Sequence, residues 1–198
     1  PIVLAVHGGA GRLARRKTEY PGRRTYELAI SEAIRAGQEI LIRGGSALRA
    51  VAESVSILEN NQLFNAGKGS ALCADRSVEL SASIMYGRNL TVGGVVGSKR
   101  CKNPIMAAKA LLGHSHCLLF GDASDKYAES RGLEMVNPEY FYTPQKIRQW
   151  ERKMGKTEFV LDHDDDSGAH GTVGAVALDR RGNLAAGTST GGLVNQIP

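Results

Sequence analysis

With 198 residues, 42% of them hydrophobic and 23% charged, the chain can bury one sizeable core or two small ones, which excludes a disordered polymer. No apolar run approaches the ~18 residues of a membrane-spanning helix, and Ile2–Val6 is too short and lacks a basic leader, so a cytoplasmic, enzyme-sized domain is expected. The net charge of +5 resides entirely in residues 1–50, where nine Lys/Arg face four Asp/Glu; the cluster Arg12, Arg15, Arg16, Lys17, Arg23 and Arg24 lacks the aromatic interleaving or motif of a nucleic-acid binder and reads as a solvated basic loop or a face toward an anionic partner.

In chain order, Ile2–Val6 reads as a strand, followed by a polar loop to about Arg24. Tyr26, Leu28, Ala29, Ala33, Ile34, Ile40 and Leu41 have helical spacing, and Gly44-Gly45 stops that helix. Ser46 can cap a second helix through Leu48, Val51, Val55 and Leu58. A glycine-rich polar loop, residues 60–69, comes next. Alternation then predicts strands at Ala71–Ala74, Val78–Met85 and Thr91–Val96. Pro104–Leu112 reads as a helix, Cys117–Phe120 as a strand, Asp122–Arg131 and Thr143–Met154 as helices. Residues 161–171 form an acidic stretch with little to bury, which predicts a flexible linker. It leads directly into a strand beginning at Thr172, a turn at Arg180–Asn183, and a partner strand at Leu184–Thr188. With no closing element after a Gly-Gly pair, the chain reads as a fragment.

Glycine, 24 of 198 residues, is enriched over the ~7% of ordinary proteins and falls in clusters that mark tight turns and close backbone approach. Cys73, Cys101 and Cys117 are odd in number and widely spaced, which predicts reduced structural thiols. Phe64–Ser70 resembles a phosphate loop but has Gln62 and Gly69 where that motif needs Gly and Ser/Thr. His7-Gly-Gly-Ala-Gly11 follows a strand without dinucleotide-binding spacing. His163, Asp164, Asp165, Asp166 and His170 are ligand types on a loop without calcium-site spacing, so a solvated acidic linker is the better reading. His114 and His116 share no obvious carboxylate and read as core or surface residues. No G-x-S-x-G element is present, and no cysteine has a nucleophile's context.

Threonine remains. Its hydroxyl becomes a useful nucleophile when a base stands beside it, and its own free α-amine can serve once the chain is cut just before it. Gly171-Thr172 suits such a cut: a pliable linker precedes it, glycine opens the carbonyl to attack, and a buried strand would hold the new terminus. The alternative is that Thr172 is simply the first β-branched residue of a strand.

His7–Gly11, Leu63-Phe-Asn-Ala-Gly67 with Gly69, Asn103-Pro104, Gly171–Asp179, Gly182-Asn183 and Thr188-Ser-Thr-Gly-Gly192 together resemble the plant-type L-asparaginases, or isoaspartyl peptidases, of the N-terminal nucleophile hydrolases. The resemblance runs along nearly the whole chain. It implies an α+β fold, an αββα four-layer sandwich, made as a precursor that cuts itself between Gly171 and Thr172. Residues 1–171 would be an α subunit and 172–198 the start of a truncated β subunit, two αβ units pairing as a homo-oligomer. It implies cleavage of β-aspartyl dipeptides and L-asparagine to release L-aspartate, with Thr172 as nucleophile, Thr190 bonded to it, and Asn65 near its amino end. Autocleavage would involve His7, Gly8, Gly9 and Gly11 beside Gly171 and Thr172. No organic cofactor is implied. A structural Na⁺ is, held by the main-chain carbonyls of Leu58, Glu59, Asn61, Phe64, Ala66 and Lys68. Neither a nucleic acid nor a membrane is implied as partner. Ser81 and Tyr86 depart from the family, which usually has Asp at both places. The family's substrate-binding segment would follow Pro198, so the alternatives are an inactive fragment or, within the same fold, a glycosylasparaginase. The Gly before Thr172 speaks against the latter.

Overall fold

The computed structural model describes residues 1–9, 22–153 and 171–198. Gly11, the basic residues Arg12, Arg15, Arg16 and Lys17, Met154, and residues 161–170 of the acidic stretch, with His163, Asp164, Asp165, Asp166 and His170, lie outside them.

The elements run β1 (Val3–His7), α1 (Arg23–Ile42), α2 (Ala47–Glu59), β2 (Leu80–Tyr86), β3 (Thr91–Ser98), α3 (Pro104–Ala110), β4 (Leu118–Phe120), α4 (Asp122–Ser130), α5 (Pro144–Lys153), β5 (Val173–Leu178) and β6 (Leu184–Thr190). The strands form a six-stranded sheet in the order β1-β5-β6-β2-β3-β4, antiparallel except for β3 with β4. The class is α+β, as read from the sequence. One helix layer on one sheet layer is what these residues form, two layers of the expected four.

Helix α1 buries Tyr26, Ala29, Ala33, Gly37 and Leu41 along one stripe, the i, i+3, i+4 pattern of an amphipathic helix. The Arg43 cap and Gly44, at a φ of 80°, end it. The Ser46 hydroxyl then accepts the Arg49 N–H at 3.3 Å to start α2. Helix α2 is buried nearly all round, because it lies between α1 and strands β5 and β6. Helix α3 covers β2 and β3. The main core, with Val51, Val55, Ile84, Val95, Ile105 and Val173, fills the space between helices and sheet. A smaller cluster of Leu72, Val78, Leu80 and Phe141 packs with Trp150 of α5.

The opposite sheet face carries Val3, Met85, Val92, Val96, Leu118, Phe120, Val176 and Leu184, all exposed. Its apolar character and the helix-side core follow from the same alternation, since successive side chains of a strand point to opposite faces.

One predicted strand is absent. Residues 71–74 carry no ladder, although Ala71, Leu72 and Cys73 are buried. Their backbone groups find other partners: Ala71 N donates to Asn65 Oδ1 at 2.8 Å, and Ala74 N to the Gln196 carbonyl at 2.9 Å. The buried apolar run mimicked a strand, but side-chain and tail contacts took its hydrogen bonds. Of the thiols, Cys73 and Cys101 are buried and Cys117 is exposed, so a structural role fits only the first two. His114 and His116 are both exposed.

The far end of the β5–β6 hairpin is anchored by Asp179, which is 2% exposed. Its Oδ2 accepts the Ala47 N–H at 3.1 Å, at the start of α2, and its Oδ1 accepts the N–H groups of Arg181 at 2.9 Å and Asn183 at 3.0 Å. Burial alone would raise this carboxyl, but these bonds outweigh it and hold the group below its ordinary 3.8. Asp179→Ala should therefore cost about 2–3 kcal/mol in denaturant unfolding. A carboxyl depressed by folding stabilises above its unfolded pKa and loses that contribution as pH falls through the folded value. Thermal melts should accordingly drop as the pH falls below about 4, and Asp179→Asn should flatten that slope.

Candidate active site

The ladder between β5 and β6 pairs Val173 with Ser189 and Gly174 with Thr188. Continued by one residue, it sets Thr172 opposite Thr190. Val173 and Ser189 point toward the helices and are buried; Thr172 and Thr190 therefore take the open sheet face, and both are half-buried. The Thr190 hydroxyl accepts the Gly192 N–H at 3.2 Å, which turns the chain sharply away at the end of β6.

Asn65, 2% exposed, ties this turn to the loop after α2. Its Nδ2 donates to the Gly192 carbonyl at 2.8 Å, its Oδ1 accepts the Ala71 N–H, and its own carbonyl accepts the Gly191 N–H at 3.0 Å. Both ends of the side-chain amide are thus matched to a partner of the right polarity, as a buried amide requires.

The loop after β1 approaches from the third side. His7 pairs with Gly174 across the β1–β5 ladder, and its Nε2 lies where a Gly174 side chain would stand. Gly8 lies against the Phe64 ring. Gly9, at a φ of 111°, packs its backbone on Gly171, and a methyl there would come within 2.5 Å of the Gly171 carbonyl oxygen. Only glycine suits both that conformation and that proximity. Thr172, Thr190, Asn65, Gly171, His7, Gly8 and Gly9 are thereby grouped at one end of the β1–β5–β6 region, while Gly11 lies outside the described residues.

The carbonyls read as an Na⁺ cage belong to the loop on both sides of Asn65, residues 58–68. Gly67, at a φ of 52°, lies against the Glu59 carbonyl, and Gly69 against those of Phe64 and Gln62. A side chain at either glycine would fill this cradle. The Leu58, Asn61 and Ala66 carbonyls each accept one backbone N–H, from Asn61, Phe64 and Gly69, which leaves each a second lone pair. A set of neutral carbonyls fits a monovalent cation better than a divalent one, which seeks carboxylates. Among the described residues no group of three His, Cys, Asp or Glu side chains could hold a metal.

Glu59 has a second role that the sequence did not disclose. Its side chain turns away from the cradle and is fully buried, with Oε1 accepting the Ile105 N–H at 3.0 Å and Oε2 the Asn103 Nδ2 at 3.1 Å. Burial raises its carboxyl to about 7 against those bonds and the Ser189 hydroxyl. It joins the end of α2 to the start of α3 under strand β6. Asn103-Pro104 in the sequence hinted at a helix start, but nothing announced its acidic partner 44 residues earlier. Burial also pushes the Cys101 thiol to about 12, which keeps it protonated and unreactive at neutral pH. A cleft of about 470 Å³ lined by Glu39, Arg43, Arg49 and Glu53 lies at the α1–α2 turn, in the helix layer and not on the face carrying Thr172.

The model of the asparaginase family matches residues 1–198. An isoaspartyl peptidase of Escherichia coli (strain K12) is 42% identical over 203 residues, covering 99% of this chain and 63% of the relative. An isoaspartyl peptidase of Salmonella typhimurium is 41% identical over 201 residues, 99% of this chain and 64% of the relative. An isoaspartyl peptidase/L-asparaginase of Mus musculus is 39% identical over 198 residues, 99% and 59%. The chain thus spans a little under two thirds of the length of these relatives. No helix among the described residues is long and apolar enough to cross a membrane.

Asn65→Ala removes two side-chain bonds and leaves the Gly192 carbonyl and the Ala71 N–H without their partner, which should cost about 2 kcal/mol or more in denaturant unfolding. Asn65→Asp sets a carboxylate oxygen against the Gly192 carbonyl and should lose at least as much at neutral pH.

Proposed function

This chain belongs to the asparaginase family, and on that premise we propose that it carries the nucleophile of a self-processing threonine hydrolase that cleaves β-aspartyl dipeptides and L-asparagine. The observation that carries this reading is the Gly171–Thr172 junction: it lies against the Gly9 backbone, heads a strand with a buried core side, and by the β5–β6 register continued one residue faces Thr190.

In the first step the Thr172 hydroxyl attacks the Gly171 carbonyl carbon. The peptide bond shifts from nitrogen to oxygen, and water hydrolyses the resulting ester. Residues up to Gly171 then end in a carboxylate, and Thr172 has a free α-amine. That amine is the base for the second step, in which it takes the hydroxyl proton as Oγ attacks the side-chain carbonyl of the substrate. The leaving nitrogen takes the proton and departs as ammonia or as the amine of the second amino acid. Water, deprotonated by the same amine, hydrolyses the β-aspartyl ester and releases L-aspartate.

Thr190 supports the hydroxyl from across the ladder. Asn65 holds the turn that follows Thr190, so its contribution is to place the chain beside the nucleophile. The division into an α subunit ending at Gly171 and a β subunit starting at Thr172 follows from the first step. Assembly of two αβ units, in the cytoplasm, belongs to the same proposal. So does a monovalent cation held by the carbonyls of Leu58, Glu59, Asn61, Phe64, Ala66 and Lys68. When bound it would stiffen the loop carrying Asn65; no chemical step passes through it.

The complete gene product carrying these residues should, after incubation, give two masses split between Gly171 and Thr172 under denaturing conditions. Thr172→Ala should remain one chain with no release of aspartate; full activity in that variant would end the proposal. Gly9→Ala should slow the cut by displacing Gly171. Exchanging sodium for tetramethylammonium should lower thermal stability reversibly, by about 1–3 kcal/mol at saturating sodium.

A further inference from the structure

Ser81 takes no part in either step above, yet the sheet register brings it to the nucleophile's row. It stands on β2 directly opposite Thr190 of β6, and the β5–β6 register, carried one residue past its last pair, sets Thr190 opposite Thr172. Directly opposed residues of an antiparallel pair share a face, with Cβ atoms about 4.5–5.5 Å apart. The exposed alternates Ser83 and Met85 on β2, and Ala186 and Thr188 on β6, identify that face as the open one. Three hydroxyls thus lie in a line across the sheet, beside a second exposed pair, Ser83 opposite Thr188, on a face that also carries exposed Val, Met, Leu and Phe side chains.

Ser81 also sits at a break in the ladder. Pairing of β2 with β3 shifts between Leu80 and Ala82, whereas pairing of β2 with β6 runs unbroken from Ser81 to Tyr86. Such irregularities re-aim side chains. Here the Ser81 Oγ accepts the Gly97 N–H, at 3.4 Å. A serine hydroxyl that accepts from one side keeps its own O–H to donate. Thr190 Oγ1 accepts the Gly192 N–H, which leaves the hydroxyl a second lone pair and its own proton.

We infer that Ser81 is a positioning residue of the threonine site: its hydroxyl, which in this structure leans toward β3 on the Gly97 N–H at 3.4 Å, turns to donate to Thr190 and holds that side chain in the rotamer that serves Thr172. This rests on the threonine-nucleophile reading. In that rotamer Ser81 donates to Thr190 and Thr190 to Thr172, each using a donor that the next can accept.

The test uses the complete gene product. Ser81→Ala should lower kcat and the rate of self-cleavage about five- to tenfold, the size of one net hydrogen bond, with KM within about twofold. Ser81→Thr keeps the hydroxyl and should recover most of the loss. In a Thr190→Ala background, Ser81→Ala should add no further loss, because the two act as one unit. An unchanged kcat and cleavage rate in Ser81→Ala, or losses that multiply in the double variant, would overturn the role of Ser81 alone. A wild-type protein that neither cuts itself nor releases aspartate would overturn the nucleophile reading and this role with it.

Discussion

The backbone ladder that threads the last two strands between β1 and β2 is the constraint on which the rest of the molecule depends. Strands β5 and β6 follow the other described strands in sequence, yet they occupy the middle of the sheet, each bonded on both sides. A ladder fixed on both sides admits no slip, because a shift of one residue would turn every core side chain to the open face. Thr172, Thr190 and Ser81 come into one row for this reason and no other. The same ladder brings His7 over Gly174 and the Gly9 backbone against Gly171.

Both ends of the hairpin are then pinned by buried polar groups with well-matched partners. At the turn, Asp179 gathers the N–H groups of Arg181 and Asn183 together with that of Ala47, at the start of α2. At the other end Asn65 spans the Gly191-Gly192 turn and Ala71. Helix α2 lies between these two anchors, so a shift of the hairpin against it would break charged or amide hydrogen bonds in a buried place. Such bonds are costly to leave unmade, which makes the arrangement rigid as well as stable. Glu59 adds a third tie, joining the end of α2 to the start of α3.

The loop from Glu59 to Ser70 serves two purposes with one set of residues. Its side chains Glu59 and Asn65 reach outward to α3 and to the β6 turn, while the Glu59 and Phe64 carbonyls lie against Gly67 and Gly69 within it. A backbone turned inward in this way needs either internal hydrogen bonds or a cation, since buried carbonyls left alone are destabilising. The glycine and amide content that first suggested phosphate binding is better explained by this inward-turned backbone.

Much of the local structure was legible in the sequence. The stripe from Tyr26 to Leu41, the Gly44-Gly45 stop, the Ser46 cap and the two-residue alternation of β2, β3, β5 and β6 all depend on neighbours a few residues apart, where periodicity reports directly on burial. The motifs carrying the family resemblance were legible too, because they are contiguous. The segment 71–74 was misread because burial alone looks like a strand, and only the distant Asn65 and Gln196 reveal where its hydrogen bonds go. The acidic cap on α2 is 132 residues from the N–H it accepts, and the Ser81–Thr190 pairing links positions with no common local pattern. The sequence by itself determined most of the elements, the class and the chemically unusual Gly171-Thr172 junction. Tertiary structure alone decided which hydroxyls share a row and which carboxylates anchor them, because strand order and register are set by long-range pairing that no local period encodes.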